Sequence, residues 1–399
     1  MTRTLFRGGS LFDGTTFADG DLVVQDGSII AVGRGLDGDT EVDCTGGTLL
    51  PGLIDCHVHM MFSGIDVLKA LQAPFSYPFY EALGNLSSTL DAGVTTVRDA
   101  GGADLGLKRA VENGLVRGPR LQIAVSILSQ TGGHGDGWMP CGSQVPFLQP
   151  HPGMPSGVVD GVDAMRHKAR EVLRAGADVL KVCTTGGVLS AADDPRHSQF
   201  SPAELAVLVE EASAQHKPVM AHAQGTEGIK NAVRAGVRSV EHGIYLDDEA
   251  IELMLEHRTW LVPTLAAPRS VIAAAAAGAA IPQVMVDKAR AVVTIHTESI
   301  GRAVAAGVRI AMGTDSGVGP HGQNLDELGL MAGCGMSPEA VLTASTSGAA
   351  QCIGLQDEVG RLEPGLRADL VLVTGAARDL TAVREQISGV WQDGVRVVG

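Results

Sequence analysis

Six side chains of this 399-residue sequence have the types and placement expected of a metal site: His57, His59, Lys181, His222, His242 and Asp315. His57 and His59 flank a single valine at the end of the apolar run PGLIDCHVH. Residues two apart on a strand face the same side, so both imidazoles can reach one cation. His222, His242 and Asp315 sit at the ends of runs of their own, PVMAHA, RSVEH and RIAMGTD. Singly, each has an ordinary reading as a core histidine or, for Asp315, a helix N-cap. Together, at the same point of separate units, they argue for a shared cation.

Lys181, in DVLKVCTTGG, needs its own chemistry, because an ammonium cannot ligate a cation and is costly to bury unpaired. Reaction with carbon dioxide converts it to a carbamate, an anion whose oxygens can bridge two metals. The alternative is an ammonium neutralised by Asp315 or Asp99, with no metal contact. Divalent ions at such a site lower the pKa of a bound water to about 7 and so provide hydroxide at neutral pH. The hydroxide is expected to attack an amide carbonyl, with Asp315 taking the proton and passing it to the leaving nitrogen. His134, in the loop TGGHGDG, can hydrogen-bond the carbonyl oxygen as charge develops; otherwise it is a loop histidine without a role.

The elements that must position these groups follow a recurring phrase: a helix ending in Ala-Gly, a β-branched strand, then a polar or Gly-rich turn. It recurs at 91–102, 174–187, 234–243 and 305–317. Glycine suits a helix C-terminus, and the apolar runs suit parallel strands buried on both faces. Eight candidate strands can be counted: TLLPGLID, VTTVRD, RLQIAVS, DVLKVCT, PVMAHA, RSVEH, WLVPTL and RIAMGTD. Helical patterns at 201–215 and 247–257 separate some of them. Eight strands close a barrel, whose functional groups gather at the strand C-termini. An open doubly wound sheet is the alternative, but no Gly-rich nucleotide turn follows the first strand. Both chain ends read as all-β, with LVVQDGSIIAVG and GVWQDGVRVVG centred on Asp-Gly hairpin turns.

The formal net charge is −15, with no run of Lys or Arg, which argues against nucleic-acid and anionic-membrane partners. Six scattered cysteines without a CxxC pair, and a start lacking a signal-peptide core, suggest free thiols and a cytoplasmic protein. Cys56 and Cys183 adjoin ligand positions but are expected to pack. The alanine-rich stretch 271–286 is too short for a membrane span and reads as a buried or interfacial helix. The long loops 129–161 and 184–200 are candidates for shaping the pocket.

Taken in order, PGLIDCHVH, DVLKVCTTGG, AHAQG, VEHG and GTDSG resemble the amidohydrolase superfamily. TTVRDAGG, SQTGGHGD and KVCTTGGVLS are similar to its group of Xaa-Pro dipeptidases and imidazolonepropionase-related enzymes. GRLEPGLRADLVLV is similar to that family's return into a β-sandwich, so the resemblance covers nearly the whole chain. It implies an α/β fold: a (β/α)8 TIM barrel over 51–356, and a small β-sandwich built discontinuously from 1–50 and 357–399.

The resemblance further implies one metal on His57, His59 and Asp315 and a second on His222 and His242, with carboxylated Lys181 bridging both. Zinc suits these nitrogen and oxygen donors, and manganese or cobalt also fits. The expected reaction is hydrolysis of a small-molecule amide or dipeptide, or of an N-acyl amino acid, by a homo-oligomer. A one-metal deaminase or cyclic-amide hydrolase, a lactone or phosphoester hydrolase, and a scaffold that lost its metals are the alternatives. Candidate substrate contacts are His134, Gln224, Arg98, Tyr245 and His321, with Arg269 a further cation near the mouth. Several dipeptidase-like relatives carry a tyrosine, placed to contact a substrate carboxylate, where this chain has Gln224.

Overall fold

The computed structural model describes residues 2–139, 141–145 and 149–399. Part of the expected loop 129–161, residues 140 and 146–148, lies outside the described residues. The chain opens with β1 (Thr4–Phe12), β2 (Phe17–Gln25), β3 (Ser28–Gly33), β4 (Thr40–Asp43) and β5 (Gly47–Pro51). A central series follows: β6 (Leu53–Val58), β7 (Val94–Asp99), β8 (Arg120–Ile123), β9 (Ile127–Leu128), β10 (Leu180–Cys183), β11 (Val219–Ala223), β12 (Ser239–His242) and β13 (Trp260–Val262). The chain ends with β14 (Leu370–Thr374), β15 (Ile387–Gln392) and β16 (Val395–Val398).

Both Asp-Gly turns form as hairpins. Asp26 and Gly27 have φ of 51° and 80°, and Asp393 and Gly394 have 47° and 74°. Positive φ at both central residues is the twist-matched turn that joins antiparallel neighbours. The terminal strands meet in one eight-stranded sheet, ordered β16-β15-β14-β5-β1-β2-β3 with β4 on β1. The expected sandwich is therefore represented by a single connected sheet among the described residues. Phe6 and Trp391, from opposite ends of the chain, meet edge-on at 5.0 Å in its core.

The central strands form two parallel sheets, β6-β7-β8 and β13-β12-β11-β10-β9. Helices separate them, as the Ala-Gly phrase predicts; Pro202–Ser213, for example, starts with a Ser201/Glu204 capping box. Three expected strands differ. TLLPGLID divides at Gly52, with β5 joining the terminal sheet and β6 the central one. Gly52 is required there, because a Cβ would lie 2.1 Å from Thr95 Oγ1. RLQIAVS is interrupted, since Val125 adopts φ 63° between β8 and β9. RIAMGTD is no regular strand: it makes one isolated parallel bridge, Leu261 with Ile310, Cys56 N–H donates to Met312 O at 2.8 Å, and the next residue, Ser316, bridges Val58. The regular strands therefore do not form one closed ring.

The stretch 271–286 is not one helix either. Ala266–Ala276 ends before Gly278, and Gln283–Ala306 starts after Pro282, as expected of two helix breakers. No helix among the described residues is long and apolar enough to cross a membrane. All six cysteines are free thiols.

The terminal sheet is locked to the central strands by Arg120, which donates to Asp369 at 2.7 Å and also reaches Asp393. Asp369 is almost fully buried and accepts the Asp393 N–H at 2.9 Å. Asp369→Asn leaves the arginine without its buried counter-charge and is expected to lower unfolding free energy by about 2 kcal/mol, read from urea denaturation.

Candidate metal centre

All six predicted ligands line one inner cavity of about 80 Å³. It lies where the central strands end, and the backbone there is bent to aim side chains inward. His242 and Asp315 have φ of 74° and 61°, and the β-branched Thr264 has 51°. Such conformations are costly for non-glycine residues and persist only where surrounding structure enforces them.

Each imidazole has one ring nitrogen held by a neighbour, which directs the other. His57 Nδ1 is 2.7 Å from Glu241 Oε2, and His59 Nδ1 is 2.8 Å from the Gly101 carbonyl. His242 Nδ1 contacts Thr264 Oγ1 at 2.7 Å, and His222 Nε2 contacts the Gly186 carbonyl at 3.0 Å. The His59 support is itself organised by Asp99, which accepts the N–H groups of Met60, Gly101 and Ala103. Acceptors on the outer nitrogen set the tautomer and raise ligand basicity. The candidate ligands thus have the orienting contacts that a metal centre requires.

The donor atoms of His57, His59 and Asp315 lie within 4.8 Å of one another. Asp315 Oδ1 is 3.5 Å from His57 Nε2 and 3.3 Å from His59 Nε2, buried and without a hydrogen-bond partner among the described residues. A buried unsatisfied carboxylate oxygen is costly. A cation between it and the imidazoles would satisfy it, so the donor set fits a divalent ion. Burial raises the Asp315 carboxyl, but His57, His59 and Lys181 outweigh it and hold the group below the usual carboxylate range. Burial pushes His57, His222 and His242 well down, favouring the neutral form that can ligate a cation.

Lys181 is 3% exposed, its Nζ 3.4 Å from His57 Nε2. It makes no salt bridge among the described residues, so the pairing with Asp315 or Asp99 considered from sequence is not formed. Burial lowers its pKa, favouring the free amine, the form that can attack carbon dioxide.

His134 stacks on His222, with ring centroids 4.2 Å apart, and its Nδ1 is 2.9 Å from Ser190 Oγ. Gly187 makes this possible: a Cβ there would sit 2.2 Å from the His134 ring. Lys288, from the helix Gln283–Ala306, holds the same loop through the carbonyls of Gly187 and Ser190 and the Asp193 carboxylate. Gln224 lines the inner cavity.

Three other expected substrate contacts are placed elsewhere. Arg98 is fully buried beneath the site, donating to Cys56 O at 2.7 Å and Glu241 Oε1 at 3.0 Å, so it is occupied as a structural cation. His321 is 3.0 Å from the Phe62 carbonyl and does not line the inner cavity. Tyr245 is half-buried against the apolar cluster of Val188, Ile244 and Val271, near Arg196, and is not itself in that lining. Arg269 is turned to Leu265 O and Thr297.

Sequence reasoning missed Glu241, Thr264 and Lys288. The signal for Glu241 was present: an acid in the buried run RSVEH and an arginine in VTTVRD are tolerated inside only as partners.

Buried histidines at strand C-termini, each with one ring nitrogen held by an acceptor, beside a buried aspartate are an arrangement of the amidohydrolase type. Comparison with known proteins agrees: the amidohydrolase family profile matches residues 48–398, and the chain belongs to that family. Ochratoxinase from Aspergillus niger is 34% identical, over 96% of this chain and 83% of the relative. The structure of a Xaa-Pro dipeptidase with bound methionine is 32% identical, with full coverage of both chains and a TM-score of 0.91. Imidazolonepropionase from Symbiobacterium thermophilum is 26% identical, over 92% of this chain and 87% of the relative. The chain is thus an enzyme of a family whose named relatives hydrolyse amide C–N bonds.

Glu241→Gln removes the charge that holds His57 and neutralises Arg98. It is expected to weaken metal affinity by about 10- to 100-fold, measured by chelator competition.

Proposed function

We propose that this chain is a two-metal hydrolase of peptide-like amides, with His57, His59 and Asp315 holding one ion and His222 and His242 the other. In this reading Lys181, as its carbamate, bridges the pair. The observation that carries it is the convergence of all six side chains on one cavity, with Lys181 buried, in no salt bridge among the described residues and beside His57. Zinc is the metal assigned, from the nitrogen and oxygen donors. Bound divalent ions supply Lewis acidity, which acidifies a water and polarises a carbonyl.

The protein's own groups do the rest. Asp315 Oδ1, ionised and without a hydrogen bond among the described residues, accepts the proton of the attacking water and returns it to the leaving nitrogen. His134, braced by Ser190 against His222, donates to the carbonyl oxygen as charge builds. The bond cleaved is peptide-like, as in a dipeptide or an N-acyl amino acid, and the dipeptidase relatives support that choice. We also assign 51–356, with 309–316 as its eighth strand position, to a (β/α)8 barrel, and 1–50 with 357–399 to a companion β domain. One observation favours a one-metal deaminase or cyclic-amide hydrolase instead: among the described residues, only His57, His59 and Asp315 form a group of His, Cys, Asp or Glu donors within 4.8 Å.

Lys181→Ala separates the two readings. The two-metal account expects metal content and turnover to fall together, with partial recovery of both on adding a small carboxylic acid. Unchanged metal content and turnover in the variant would remove the bridge.

A further inference from the structure

The strands that carry the candidate ligands have a second charged end. His222 and His242 stand at the ends of β11 and β12, whereas Arg238 comes immediately before β12. Arg238 and His242 are four residues apart, roughly 13 Å along an extended strand. Successive turns at this far end each deliver one cation. Lys217 comes before β11, Arg238 before β12, Arg258 before β13 and Arg309 before the bridge residue Ile310. All four line one recess of about 490 Å³, and no carboxylate lines it among the described residues.

Backbone pairing fixes these cations as neighbours. Trp260 N–H donates to Arg238 O at 3.1 Å, and Leu261 N–H donates to Arg309 O at 2.8 Å. Two of the guanidiniums are also tethered. Arg238 donates to Cys352 O at 3.1 Å and to Gln351 O. Arg309 lies over the Trp260 ring, 4.5 Å from its centroid.

What they lack is counter-charge. The chain carries 45 Asp and Glu against 30 Lys and Arg, yet Arg238, Arg258 and Arg309 form no salt bridge among the described residues. Lys217 reaches Asp178 at 3.6 Å, but Lys108 binds that carboxylate more closely, at 2.7 Å. Burial and the charges of Arg238 and Arg258 push Arg309 below the usual guanidinium range. Cations held side by side without acids repel one another, and an anion among them relieves the repulsion. A dianion does so more fully than a single carboxylate.

We propose that this recess is a binding site for a phosphate group, either free phosphate or the phosphoryl group of a small metabolite. Arg258 and Arg309 present guanidinium forks, whose geometry suits phosphate oxygens, and Lys217 and Arg238 add charge. Val209, Pro218 and Val237 give the recess an apolar side for the organic part of a phosphate ester. The bound anion ties together the turns before four successive strand positions. None of these residues lines the inner cavity, so the site is separate from the metal chemistry.

Calorimetric titration of the metal-loaded protein with inorganic phosphate and with glycerol 3-phosphate, at constant ionic strength in chloride, tests this. One equivalent per chain is expected to bind, and Arg258→Gln is expected to weaken it at least about tenfold. Equal affinities assign the site to free phosphate, and tighter binding of the ester assigns it to a metabolite's phosphoryl group. Arg258 is exposed, and with one cation removed the variant is expected to melt in chloride at or above the wild-type temperature. A lower midpoint would overturn the repulsion on which the site rests. Binding that Arg258→Gln leaves intact would place the phosphate at the metal centre and overturn the proposal. Failure of both ligands to bind also overturns it; if the variant then changes oligomeric state, the recess is a contact for an acidic face of a second copy.

Discussion

The Glu241 carboxylate is wholly buried between Arg98 and His57, contacting the guanidinium at 3.0 Å and the imidazole Nδ1 at 2.7 Å. An arginine inside a protein is tolerated only when its charge is met. Arg98 ties β7 to the Cys56 carbonyl on β6 and, through Glu241, to β12. The acid that neutralises it also sets the tautomer of His57. One buried ion pair therefore joins three strands and orients His57, and the rest of the centre is arranged around that imidazole. His57 lies beside Lys181, Asp315 and His242.

Around it the same device is repeated with weaker acceptors: a carbonyl at Gly101, a hydroxyl at Thr264, a carbonyl at Gly186. Each comes from a turn just beyond a strand end, where backbone strain is also concentrated. The strain and the oriented acceptors are two aspects of one constraint: several strands must present side chains to a cavity of about 80 Å³. The loop 184–200 is drawn into this arrangement from outside, with Lys288 fastening it and His134 stacked against His222.

The cluster of candidate ligands was legible because a strand end is a place sequence can mark. His57, His59, His222, His242 and Asp315 each stand where an apolar run stops, and the structure brings all of them, with Lys181, into one lining. The hairpins were legible for a similar local reason, since Asp-Gly carries the positive φ its turn needs. Arg98 was misread as a substrate clamp because its partner, Glu241, is 143 residues away in sequence. Lys288 and Thr264 escaped notice because only tertiary packing brings them to the loop and to His242. TLLPGLID looked like one strand because nothing in its pattern reveals that Gly52 is pressed against Thr95. RIAMGTD looked regular because bridges made at Ile310 and Ser316 alone leave no trace in hydropathy.

The central claim is that these six residues hold a pair of ions. Elemental analysis of protein grown with zinc and bicarbonate measures it directly. The account predicts about two equivalents of divalent metal per chain, as a bridged two-metal centre requires. One equivalent that no supplementation raises would contradict the pair and favour the one-metal chemistry of His57, His59 and Asp315; none after reconstitution would contradict a metal centre altogether.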